Sequence, residues 1–124
     1  MLSIHEDASL QKALQLPLPE PLRMLLQDRR AMLGYDLPLR DMAQFVVVQA
    51  GDTLADVERE TGLHIQLTMD DPDYTPAWEW VIDHGLFYET VFILSDDGYG
   101  IALFALKAGI DPILRRLLEN GLRP

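Results

Sequence analysis

A chain of 124 residues, 48% hydrophobic and 24% charged, is long enough for one domain with a core of its own. It has no cysteine, which excludes thiol catalysis, thiolate metal ligation and disulfides and favours a reducing compartment. The formal net charge of -10 is concentrated in residues 44–100, where twelve acids face Arg59 alone; such a field opposes nucleic acid and anionic lipid and attracts a basic protein surface or a cationic ligand.

Ser3 followed by Glu6 has capping-box spacing and predicts a helix from about Ile4 to Gln15, ended by Pro17 and Pro19, with a weak stripe of Ile4, Ala8 and Leu14. A second helix is better specified. Pro21 suits its first turn, Leu22, Leu25, Leu26, Arg29 and Leu33 follow the 3.6 period, and Gly34 stands where a C-terminal cap belongs. Residues 35–41 read as a connector. The helical arm 1–43 carries Arg23, Arg29, Arg30 and Arg40, natural internal counterweights to the acidic middle.

The α/β core, 44–124, opens with the strand Phe45 to Val48, apolar on both faces. A helix follows from Asp52 or Thr53, capped with the help of Asp56, facing inward through Leu54, Val57 and Thr61 and closing at Gly62. Leu63 to Met69 alternates strictly and predicts a half-exposed strand. Residues 70–74 read as a loop, and Thr75-Pro76 starts a predicted helix running to about His84. Leu86 to Ser95 and Gly100 to Lys107 then read as a hairpin around Asp96-Asp97-Gly98-Tyr99; both strands are apolar on both faces and must be covered twice, by helices or by a second copy of the chain. Asp111-Pro112 opens a last helix burying Ile113, Leu114, Leu117 and Leu118. The sum is one α+β domain, 1–124, in which two N-terminal helices precede a roughly four-stranded mixed sheet with the hairpin (86–95/100–107) at its centre. With neither a signal-peptide pattern nor an apolar run of membrane-spanning length, the expected location is the cytoplasm.

Val46-Val47-Val48-Gln49-Ala50-Gly51-Asp52-Thr53-Leu54, continuing through Val57 to Gly62, resembles the opening half of a LysM module. In that family a strand leads into Gly-Asp-Thr-Leu and a short helix, and the resemblance implies binding of N-acetylglucosamine polymers. It covers about 17 residues and stops at Gly62, after which the family's second helix with its characteristic Asn is replaced by the alternating run Leu63 to Met69.

Chemistry has few candidate groups. Ser3, Ser9 and Ser95 sit in no nucleophile elbow, and Gly98-Tyr99-Gly100 opens no helix, so neither acyl transfer nor nucleotide binding is indicated and no catalytic residue is assigned. Asp70, Asp71, Asp73, Glu79, Asp83 and His84 form an oxygen-rich cluster, but their spacing matches no metal motif, so no metal or cofactor is assigned. Trp80, with Tyr74, Tyr88 and Tyr99, supplies an aromatic rim beside these acids. The binding set is therefore Asp70, Asp71, Asp73, Tyr74, Trp80, Asp83, His84, Glu89 and Tyr99. The preferred reading is a non-enzymatic regulatory, adaptor or immunity-type module that binds a basic protein surface, and that forms a homodimer through the doubly apolar hairpin. The alternative is a small-ligand or metal-binding domain, enzymatic or not, whose pocket gathers Asp83, His84 and Glu89 in a concavity.

Overall fold

In the chain Ala43–Val48 the β-branched run Val46 to Val48 disfavours a helix and suits a strand buried on both faces, and every residue of it is buried. Around this strand the computed structural model of the protein, which describes residues 1–65, 78–93 and 99–121, builds a mixed sheet flanked by helices. The elements are β1 (Leu2–Ile4), α1 (Asp7–Leu14), α2 (Glu20–Met32), a short 3-10 turn (Leu39–Asp41), β2 (Ala43–Val48), α3 (Leu54–Thr61), β3 (Trp78–Asp83), β4 (Phe87–Ile93), β5 (Gly100–Leu106) and α4 (Pro112–Gly121). The sheet order is β1-β2-β5-β4-β3, with β2 and β5 parallel and the other neighbours antiparallel. None of the described helices is long and apolar enough to cross a membrane.

The α+β class and the central hairpin are as the sequence predicts, with five strands in place of four. Helices of the same chain cover both sheet faces. On one, α3 and α4 bury Val57, Leu114, Leu117 and Leu118 against Val46, Leu103 and Phe92. On the other, α1 and α2 bury Leu10, Ala13, Leu22 and Leu26 against Ile4, Phe45, Val47 and Phe104. The Phe45 and Phe104 rings meet edge to face, 6.1 Å apart.

Several predicted elements are corrected. The first helix begins at Asp7, not Ile4, because Leu2–Ile4 pairs antiparallel with β2 and buries Ile4. Ser3 cannot cap the helix. Its Oγ accepts from Gln44 Nε2 at 3.0 Å and lies 2.7 Å from His5 Nε2, and Ser9 Oγ takes the Glu6 N–H instead. The run predicted as the strand Leu63 to Met69 keeps its alternating burial through Leu63, His64 and Ile65, but these residues join no strand and Ile65 has helical backbone; 66–69 lie outside the described residues. The helix predicted from Thr75 to His84 is a strand over Trp78–Asp83, paired antiparallel with β4, since pairing of this aromatic and β-branched run outweighs the Thr-Pro start signal. Ile113 is exposed, while Leu114, Leu117 and Leu118 carry the inner face of α4. The predicted loop 70–74 and the hairpin turn, apart from Tyr99, lie outside the described residues.

The turn after β2 is built as expected. Thr53 Oγ1 accepts the Asp56 N–H, Asp56 returns the bond to the Thr53 N–H, and Gly62 closes α3 at φ +73. Asp111, from the loop after β5, accepts the Leu54 N–H at 2.9 Å and so ties the two parallel strands' exits together. Gly109 is required there twice over, by its φ of +74 and by a Cβ that would come within 2.7 Å of Ala50 Cβ.

Candidate functional site

β4 is the one inner strand that carries a charge into the core. Registered opposite Phe104 of β5 and Ile82 of β3, Glu89 shares the sheet face covered by α1 and α2 and is fully buried. A lone carboxylate there would be very costly, and it is satisfied from two sides. Arg29 of α2 grips it with two hydrogen bonds, Nε to Oε1 at 2.6 Å and Nη2 to Oε2 at 3.1 Å, while His84 Nε2 lies 2.7 Å from Oε2. The hydrogen bond to Glu89 pushes the Arg29 pKa above its already high ordinary value, so the guanidinium stays charged. The His84 ring stacks on Phe87 with centroids 4.9 Å apart.

Asp83 is next in sequence but points elsewhere. It is exposed, accepts from Lys107 Nζ at 2.5 Å and from the Gly85 N–H at 2.7 Å, and these donors, Lys107 first, hold its carboxyl below the ordinary range. Lys107 also lies 4.6 Å over the Tyr88 ring, and Tyr88 donates to Glu119 at 3.0 Å. Burial, reinforced by that bond, raises the Tyr88 pKa. Tyr99 packs against the α3 and α4 cluster, on the face opposite Glu89. Trp80 lies on β3 opposite Val91, and Asp70, Asp71, Asp73 and Tyr74 lie outside the described residues. Of the predicted binding set, then, the described residues bring together His84 and Glu89 and leave Asp83 and Tyr99 apart. Among the described residues, no three His, Asp or Glu side chains are grouped to hold a metal ion.

The arginines balance the acids less widely than their placement suggests. Among the described residues Arg29 alone of the four pairs with the acidic middle; Arg23 pairs with Glu20 at 2.5 Å and Arg30 with Asp7 at 2.7 Å. Arg23 also closes the end of α1 by donating to the Leu14 and Leu16 carbonyls, and Arg30 to those of Gly34 and Leu37.

Where Arg29 meets Glu89, α2 stands off the sheet and leaves a crevice on each side. One, about 330 Å³, is lined by Pro21, Met24, Leu25, Asp28, His84 and Phe87. The other, about 260 Å³ and mostly apolar, has Met32, Leu33 and Met42 as walls and Val91 and Ile93 in its floor, with Arg29 at its edge. Beside it the end of α2 and the following connector present Met32, Leu33, Tyr35 and Leu37 to solvent, Met32 at 74% and Tyr35 at 72% exposure. These residues fell outside the predicted set. A readable signal existed all the same: Arg29 occupies an inward position of the α2 stripe and Glu89 interrupts an apolar strand, and opposite charges at two predicted core positions are natural partners.

No family model, no curated protein and no solved structure matches this chain.

Proposed function

We propose that this chain is a non-enzymatic protein-binding module, acting in a reducing compartment such as the cytoplasm on a partner with a basic surface. The observation that carries the reading is the exposed apolar run Met32, Leu33, Tyr35 and Leu37, since a cluster of this kind on a charged small domain is the usual mark of an interaction surface. The net charge of -10 supplies long-range attraction for a basic partner. The pocket alternative has less support. Both oxygens of Glu89 are engaged, and Asp83 is held outward by Lys107, so Asp83, His84 and Glu89 share no concavity.

The test is affinity capture with the tagged chain from its own cells, run in parallel with Met32→Asp/Tyr35→Asp, two exposed positions whose change leaves the core intact. A partner held by the wild type and lost from the double variant supports the reading. Thermal-shift stabilisation by a metal, nucleotide, amino sugar or other small ligand, with no protein captured, overturns it.

A further inference from the structure

The two crevices lie along one helix. Leu25 and Met32 wall the first and the second, and their seven-residue separation on α2 is a displacement of roughly 10 Å along the axis. Between them the Arg29–Glu89 pair bridges α2 to the sheet, so the whole is a groove with two apolar wells and a polar step. Its walls are unusually soft: three of the chain's five methionines, Met24, Met32 and Met42, line it, and unbranched thioethers adapt their shape to whatever side chain enters.

Charge selects the occupant. Arg29 and Arg30 are consumed by Glu89 and Asp7, whereas Asp28, which lines the first crevice, is exposed and forms no salt bridge among the described residues. A second copy, also at -10, would bring like charge to this acidic chain. From the groove, its spacing and this charge we infer that α2 and β4 form the docking site for a basic amphipathic helix of a partner protein, which seats apolar side chains at i and i+7 in the two wells and sets Lys or Arg against Asp28. The inference rests on the protein-binding reading and names the partner segment and where it lies.

A synthetic amphipathic peptide with leucines at i and i+7 on one face and lysines on the other serves as the probe, followed by fluorescence anisotropy with the full chain. Saturable binding that weakens with salt, drops at least about tenfold with Met24→Asp or Met32→Asp and drops with Asp28→Lys is the expected result; the tenfold loss corresponds to about 1.4 kcal/mol. Unchanged melting temperatures confirm that these exposed substitutions leave the fold in place. Equal binding by wild type and variants, equal binding of the peptide with glutamates for lysines, or no binding overturns the inference. So does a dimer in light scattering that Met32→Asp dissociates, since a second copy is then the occupant. A captured natural partner retained by both Met variants overturns the groove and keeps the module, whereas stabilisation by small ligands alone removes the module itself.

Discussion

The two faces of the sheet solve burial differently. Under α3 and α4 the seal is mostly apolar: Phe92, Leu103, Leu114 and Leu118 are almost inaccessible, the buried Gln44 and Thr61 are hydrogen-bonded, and the Thr90 hydroxyl is buried with no partner among the described residues. Under α1 and α2 apolar side chains cover much of β1, β2 and β5, but one crevice reaches Phe45 of β2 and Ala102 of β5, and across β4 the contact is made by Arg29, Glu89 and His84, flanked by the two crevices. Where a helix does not reach the sheet with apolar side chains, long charged ones span the gap. A buried ion pair of this sort holds position at little net gain in stability, and apolar surface at its sides stays uncovered.

The sealed face is the place to expect the largest loss. Phe92→Ala removes a fully buried ring and should cost about 4 kcal/mol in chemical denaturation, with no change in peptide or partner binding. On the open face, Arg29→Ala strands a fully buried carboxylate with His84 alone and should cost about 3 kcal/mol, whereas Arg29→Met with Glu89→Leu should return stability to within about 1 kcal/mol of wild type. That double variant separates the two faces most sharply, because no apolar replacement at Phe92 has an equivalent rescue. A full loss in the double variant would show that the pair does more than fill its gap. Thr90→Val removes the unsatisfied hydroxyl at constant shape and should gain about 1 kcal/mol.

The smallest effect is a pH dependence on the open face. Asp7 accepts from Arg30 Nε at 2.7 Å and from the Leu39 N–H at 3.1 Å, and these bonds, Arg30 first, hold its carboxyl below the ordinary 3.8. A lowered carboxyl contributes stability that is present above 3.8 and is withdrawn as pH falls through the folded-state value. Acid titration of the melting temperature should therefore fall less steeply below that pH in Asp7→Asn than in wild type. Identical slopes would remove Asp7 from the account.

Much of the fold was legible because its signals are local. Thr53 with Asp56, Gly62, Pro21 and the stripe Leu22 and Leu26 each reflect a backbone or periodicity requirement contained within one or two turns, and all of them appear where the residues place them. The misreadings share a different origin. Ser3 offered a cap and Thr75-Pro76 a helix start, but β2 claims Leu2–Ile4 and β4 claims Trp78–Asp83, and strand pairing depends on a partner distant in sequence. The candidate site was legible only in part, through His84 and Glu89. Its arginine comes from 60 positions earlier in the chain, and sequence spacing holds no record of which of four arginines folds over β4.

By itself, then, the sequence determined the α+β class, the capped helices, the doubly buried hairpin strands and the acidic bias, each carried by local propensity, periodicity or a simple sum of charges. Only the tertiary structure decided that β1 joins the sheet, that Arg29 neutralises Glu89, and that α2 stands away from β4 with methionines on either side. The reason is physical: burial of a charge and the depth of a groove depend on the distance between elements, and that distance is set by how all the layers pack at once.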